Sequence, residues 1–140
     1  MHIRLAALLA LPLLVVGSGC TPTPPPAEGK EEKPVREASA AFQDALKAHD
    51  GDKLWDLIDA DSRAGAERAA KAKNLSAKDF LKSDHFCGQK ALDEVQEGKI
   101  EKVSVQGEKA TVTFVAPDGD HEKLKLVREG SQWKVSAPVP

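Results

Sequence analysis

The chain has 140 residues, with 22 acidic side chains, 20 basic side chains and a formal charge of −2 at pH 7. This length suits one small domain. The balance of charges argues against a nucleic-acid partner, since binding to phosphates needs a basic face. Aromatic residues make up only 4% of the chain, so aliphatic side chains and alanine must fill most of the core.

The first nineteen residues have the three parts of a secretory signal peptide. Arg4 supplies the basic start, an apolar run follows from Leu5 to Val16, and small residues close it. As a helix, the run spans about 18 Å, well short of the roughly 30 Å of a hydrocarbon core. The pattern therefore predicts a cleaved signal peptide over 1–19 rather than a transmembrane helix. Loss of Arg4 leaves 19 basic against 22 acidic side chains, a net charge of −3.

Cys20 comes directly after Gly17, Ser18 and Gly19. This order resembles the lipobox of bacterial lipoproteins, in which the leader is cut just before a cysteine that carries a diacylglyceryl group. The resemblance implies a lipidated Cys20 behind the cleavage region 17–19, and acyl chains such as palmitate that anchor the protein to a membrane. Gly17 departs from the family pattern, which usually has an aliphatic residue there. Ordinary secretory cleavage after Gly19, without a lipid, is the alternative.

The segment 20–34 is predicted to be a disordered tether behind the lipidated cysteine. Residues 21–34 are rich in proline and charge and contain one short aliphatic residue, so they cannot form a core. In the extended polyproline II form they reach on the order of 40 Å from a bilayer. Thr21 stands where some lipoproteins of the inner membrane have aspartate. This favours the outer membrane of a bacterial cell envelope, with the domain facing the periplasm or the surface.

Residues 35–97 have apolar side chains at helical spacing. Pro34 suits a helix start, and the apolar face of the first helix is expected to run from Val35 to His49. Shorter helices follow it. The side chains expected to cap the next two helices are Asp52 for one and Asp61 or Ser62 for the other.

From residue 99 to residue 137 apolar and polar side chains alternate, which predicts strands. A longer step between Ile100 and Val103 indicates a bulge. Helices followed by such a meander predict an α+β domain over 35–140, with the helices packed on a curved four-stranded antiparallel sheet. The turn signals that separate the strands are Gly107-Glu108, Pro117–Asp120 and Glu129–Ser131.

Two stretches carry a resemblance to the NTF2-like (cystatin-like cone) superfamily, especially to its small lipoproteins of unknown function. The first runs from Phe42 to Ile58 across Asp50-Gly51-Asp52, and the second is the closing strand Gly130–Val135. The resemblance implies a curved sheet that wraps a helix, with a conical pocket between them. By this resemblance, six side chains are candidates for the pocket wall: Trp55, Ile58, Phe80, Phe86, Phe114 and Trp133. The alternative is that these side chains form the core.

His85 and Cys87 are the neighbouring pair best suited to catalysis or metal binding, and Asp84 lies beside them in the sequence. A Cys–His pair can activate a thiolate, and all three side chain types can bind zinc. Structural zinc normally takes four ligands, however, and the domain has no second cysteine. We therefore favour Cys87 as a small buried hydrophobic residue and predict no metal, no cofactor and no catalytic residue.

The remaining charged side chains have simpler interpretations. Asp56 and Asp59 are expected on the solvated side of a helix. Ketosteroid isomerase, an enzyme of the NTF2-like superfamily, pairs a pocket aspartate with a tyrosine, and this chain has no tyrosine. Lysines on the strands predict a solvated sheet face, and a surface for acidic ligands or lipid headgroups is the alternative. These lysines are Lys99, Lys102, Lys109, Lys123, Lys125 and Lys134.

Together these features predict a lipid-anchored protein of the bacterial envelope with a non-catalytic binding or scaffold domain. Its partners would be a membrane and either an unknown envelope protein or a small apolar ligand. A small enzyme that uses the cone pocket is one alternative, and a secreted, non-lipidated structural or dimerisation module is another.

Overall fold

The protein is described by a computed structural model over residues 29–140. The predicted signal peptide, Cys20 and most of the predicted tether lie outside the described residues. Within the described part of the chain, no helix is both long enough and apolar enough to cross a membrane.

The domain is α+β, with six helices followed by four strands. The helices are α1 (Glu32–Lys47), α2 (Gly51–Leu57), α3 (Ala60–Ala72), α4 (Ala77–Leu81), α5 (Asp84–Cys87) and α6 (Lys90–Glu97). The strands are β1 (Lys99–Gln106), β2 (Lys109–Val115), β3 (His121–Glu129) and β4 (Gln132–Ser136).

The four strands form one antiparallel sheet in the order β1-β2-β3-β4, as the turn signals predict. The predicted bulge is confirmed, since the register between β1 and β2 shifts between Ile100 and Lys102. Gly107 and Gly130 have φ angles of 61° and 62°, values that favour glycine in two-residue hairpin turns. β1 and β4 do not pair with each other, so the sheet is open with an edge on each side.

The core lies between one face of the sheet and the helices. α1 packs across β4, β1 and β2, and α6 lies against α1, β2 and β3. Alternation along β2 buries Ala110, Val112 and Phe114 and leaves Thr111 and Thr113 on the opposite face. Helices therefore cover one face of the sheet, and the other face is polar.

The ends of α1 and α2 differ in detail from the sequence analysis. α1 begins at Glu32, and Pro34 occupies its third position, where a backbone N–H has no intrahelical partner. His49 lies outside α1 and is exposed, because the helix ends at Lys47 and His49 takes a left-handed φ of 50°. Asp50, not Asp52, caps α2 through a bond from the Lys53 backbone N–H, which lowers the pKa of Asp50.

Candidate functional site

The six side chains proposed for a pocket wall lie in the core or against it. Phe80, Phe86 and Phe114 are fully buried, and the rings of Phe80 and Phe86 are 6.0 Å apart between centroids. Trp55 is the partly exposed member, with the Arg63 guanidinium 5.4 Å from the centre of its ring. Ile58 and Trp133 belong to the same hydrophobic cluster. These positions agree with the core interpretation of the set.

His85 and Cys87 have different surroundings although they share the four-residue helix α5. His85 is exposed, whereas Cys87 is buried and its thiol donates to the Leu81 carbonyl oxygen over 3.1 Å. Burial, followed by the nearby carboxylates of Asp84 and Asp93, raises the pKa of the Cys87 thiol to about 11. A thiol of this kind stays protonated near neutral pH and is a poor nucleophile.

Among residues 29–140, no group of three or more His, Cys, Asp or Glu side chains is arranged to hold a metal ion.

The best candidate for a binding site is a groove between α6 and β3, which we call the edge groove. α6 contributes Ala91, Leu92 and Val95 to one wall, β3 contributes Glu122–Lys125 to the other, and Ser136–Pro138 close one end. Its volume is about 270 Å³, slightly below the usual range of pockets for small molecules. The groove can therefore accept one compact apolar group.

Unequal strand lengths leave one edge of β3 open beside this groove. β4 pairs with β3 only from Lys125 to Glu129, whereas β2 pairs with β3 from His121 onward. Residues His121–Leu124 thus have a strand partner on one side only. An open strand edge offers backbone N–H and C=O groups to a partner.

A polar cluster at the end of β4 sets this difference in length. The Ser136 hydroxyl donates to Asp59, and the Ala137 backbone N–H donates to the Ser62 hydroxyl over 2.9 Å. These bonds hold the end of β4 against α3, and the strand ends at Ser136. We call Asp59, Ser62, Ser136 and Ala137 the α3 latch.

Asp59 is a correction to the sequence analysis, which expected it on a solvated helix face. It is only 6% exposed, and its Oδ1 accepts from the Ser62 backbone N–H over 2.8 Å, so it caps α3 in place of Asp61 or Ser62. The signal was the position of Asp59 directly before the helix. Two further cap-forming residues within three positions concealed it.

The α3 latch lines a second groove of about 290 Å³ with Gly65 and Arg68. All buried side-chain N and O atoms of residues 29–140 have a hydrogen-bond partner. The polar atoms of the latch therefore satisfy one another, and we assign them a structural role. The edge groove, with its apolar α6 wall and open strand edge, remains the better binding site.

Comparisons with protein-family models, with curated proteins and with solved structures give no significant match to this chain. Its function is therefore inferred from its own residues and geometry.

Proposed function

We propose that the protein is a lipid-anchored component of the bacterial cell envelope whose domain binds an apolar group in the edge groove without catalysing a reaction. The group belongs to a small ligand or to a side chain of an envelope protein. The proposed lipid anchor is supported by the position of Cys20, which comes directly after an apolar run and three small residues.

The chain that follows Cys20 supports this role. With α1 beginning at Glu32, eleven residues separate Cys20 from the folded domain. Residues 29–31 form a turn, so residues 21–28 would span at most roughly 25 Å if they took up the polyproline II form. Two acyl chains on Cys20 would supply stable anchoring, and the proline-rich segment would hold the domain away from the bilayer.

We further propose that the domain is NTF2-like. Helices that precede a four-stranded meander, with α1 packed across the sheet, support the assignment. The core position of Phe86, Phe114 and Trp133 differs from the conical pocket that the resemblance implies. In this interpretation the domain binds its apolar group in the edge groove and not in a conical pocket between the sheet and the helix.

Accessible apolar surface in the edge groove supports the binding role. Leu92 and Val95 lie almost fully buried beneath it, and the apolar side chains that remain accessible are Ala91, Ala137 and Pro138. A methylene group that enters such a site gains about 0.8 kcal/mol from loss of contact with water. Backbone groups of His121–Leu124 can then fix the orientation of the bound group by hydrogen bonds.

The anchor is tested by mass spectrometry of the N-terminal peptide from the membrane fraction of producing cells. We expect the wild-type peptide to begin at Cys20 with the added mass of a diacylglyceryl group. Cys20→Ala should lose this mass and leave the washed membranes. Cys87→Ala is the matched control, since it removes the other cysteine and should keep the lipid. An unmodified Cys20 in the wild-type protein would contradict the proposal.

The edge groove is tested with the fluorescent apolar probe anilinonaphthalene sulfonate. Ala91→Trp fills the mouth of the groove and should weaken binding of the probe by roughly 10-fold or more. Lys90→Trp adds the same ring at the exposed neighbouring position and should bind like the wild type. Equal binding by the two variants, or no binding by the folded wild-type protein, would argue against this site.

A further inference from the structure

The uncovered face of the sheet carries a regular array of lysines. Strand pairing places Lys102 and Lys123 on either side of Thr113, and Lys109 and Lys134 on either side of Val127. Lys99 and Lys125 share this face, because they pair with Val115 and Thr111, which alternate with the buried residues of β2. We call the six lysines Lys99, Lys102, Lys109, Lys123, Lys125 and Lys134 the lysine face.

These charges lack close counter-ions within the described chain. None of the six lysines has a carboxylate oxygen within 4.0 Å among residues 29–140. Lys134 donates to the Asp56 backbone carbonyl oxygen, and two carboxylates of the strands have partners outside the array. Glu101 is 3.2 Å from His121, and Glu129 accepts from the Ala60 backbone N–H over 2.9 Å.

The two layers of the molecule differ in net charge, since residues 99–140 contain 7 basic and 6 acidic side chains, a net charge of +1. Residues 32–98 contain 14 acidic and 11 basic side chains, a net charge of −3. Charges on the lysine face that lie two strands apart are separated by about 10 Å, close to the screening length at 0.1 M salt. Their fields therefore add over the face, and the domain is polarised toward an anionic surface.

The shape and chemistry of the face favour a lipid surface over a nucleic acid. The side chains between the lysines are Thr111, Thr113, Ser104, Val115 and Val127, all partly exposed. All aromatic side chains of residues 29–140 lie elsewhere, in the core or against it. Single strands need aromatic rings for base stacking. A sheet face of lysines and hydroxyls suits anionic headgroups spread over a plane.

The start of α1 lies where a tether can deliver this face to a bilayer. The Arg128 guanidinium of β3 is 3.2 Å from the Glu31 carboxylate, directly before α1. The chain thus enters the domain beside the end of β3. Residues 21–31 are long enough to let this face turn toward the membrane.

We propose that the lysine face docks the domain on anionic phospholipid headgroups. This inference rests on the proposed anchoring at Cys20, which keeps the domain at a bilayer and raises the effective concentration of headgroups. The lipid would hold the protein at the membrane, and the lysine face would set the orientation of the domain. The edge groove, whose β3 wall contains Lys123 and Lys125, would then lie beside the headgroups.

The test uses the chain 20–140 with Cys20→Ala, which contains every described residue and cannot be lipidated there. We expect it to co-sediment with vesicles of phosphatidylglycerol and phosphatidylcholine in equal parts, and to be released as salt is raised. Pure phosphatidylcholine vesicles should not bind it. The triple variant Lys102→Gln, Lys123→Gln, Lys125→Gln should bind the anionic vesicles roughly 10- to 100-fold more weakly.

A matched triple variant changes three exposed lysines of the helical layer to glutamine, Lys47 and Lys71 in helices and Lys73 directly after α3, and should bind like the parent chain. Equal loss in both triples, salt-independent binding or no binding to anionic vesicles would overturn the docking face. The salt series on the parent chain needs no substitution, so the result stands even if a variant unfolds. Because the chain carries no lipid at Cys20, vesicle binding and lipidation can fail separately.

Discussion

Phe114→Ala is expected to lower the free energy of unfolding by about 3–5 kcal/mol. Phe114 is fully buried in the central strand β2, and its register partners are Ile100 in β1 and Glu122 in β3. Its ring belongs to the buried hydrophobic cluster between the sheet and the helices. Removal of the ring leaves a cavity that the neighbouring side chains fill only in part.

Urea denaturation followed by tryptophan fluorescence measures this effect. Thr113→Ala is the matched control, because Thr113 neighbours Phe114 in β2 but lies on the outer face. It should cost no more than about 1 kcal/mol. A small domain is only marginally stable, so Phe114→Ala should leave much of the protein unfolded at physiological temperature. Similar costs for the two substitutions would show that the inner face of β2 is not the core.

Gly51→Ala is expected to destabilise the domain by roughly 1–3 kcal/mol, even though alanine favours helices more than glycine does. Gly51 is the first residue of α2, where an added Cβ would lie 2.2 Å from the Lys78 backbone carbonyl oxygen of α4. Because the obstacle is backbone, α2 and α4 must move apart. The movement would disturb Leu54 and Phe80, which the two helices bury.

Whether Gly51→Ala lowers or raises the stability of the domain decides this prediction. If α2 and α4 were not in contact, alanine would raise the melting temperature, since it is better by about 1 kcal/mol within a helix. Lys53→Ala is the control two residues away. Its side chain is 72% exposed and pairs loosely with Asp50, so its loss should change stability by no more than about 0.5 kcal/mol. A melting temperature above that of the wild type for Gly51→Ala would contradict the packing.

The sheet could be predicted from the sequence because its determinants are local. Alternation identifies the inner face, and Gly107 and Gly130 stand where hairpin turns need a positive φ. The bulge near Ile100 follows from the spacing of apolar residues alone. Helix caps were harder, since Asp50 and Asp52 both fit the pattern and tertiary packing selects between them.

The candidate site could not be predicted because contacts distant in the sequence create it. β4 ends where Ser136 reaches Asp59, 77 residues earlier in the chain. No local pattern states that β3 should extend past its neighbour, and none marks Asp59 as buried. The lysines of the strands were visible in the sequence, but their common face required the register. The sequence left the aromatic residues as candidates for both a pocket wall and the core, because the size of a side chain alone does not distinguish packing from ligand binding.

The order of strands in the sheet has a consequence for how quickly the chain folds. Each strand pairs with its neighbour in the sequence, so each pairing closes only a short loop. The isolated parallel bridge between Ile58 and Val135 is a long-range contact that joins the segment after α2 to the last strand. Chains dominated by near-neighbour contacts cross a low entropic barrier. The unfolded chain would thus expose its strand edges only briefly before they pair.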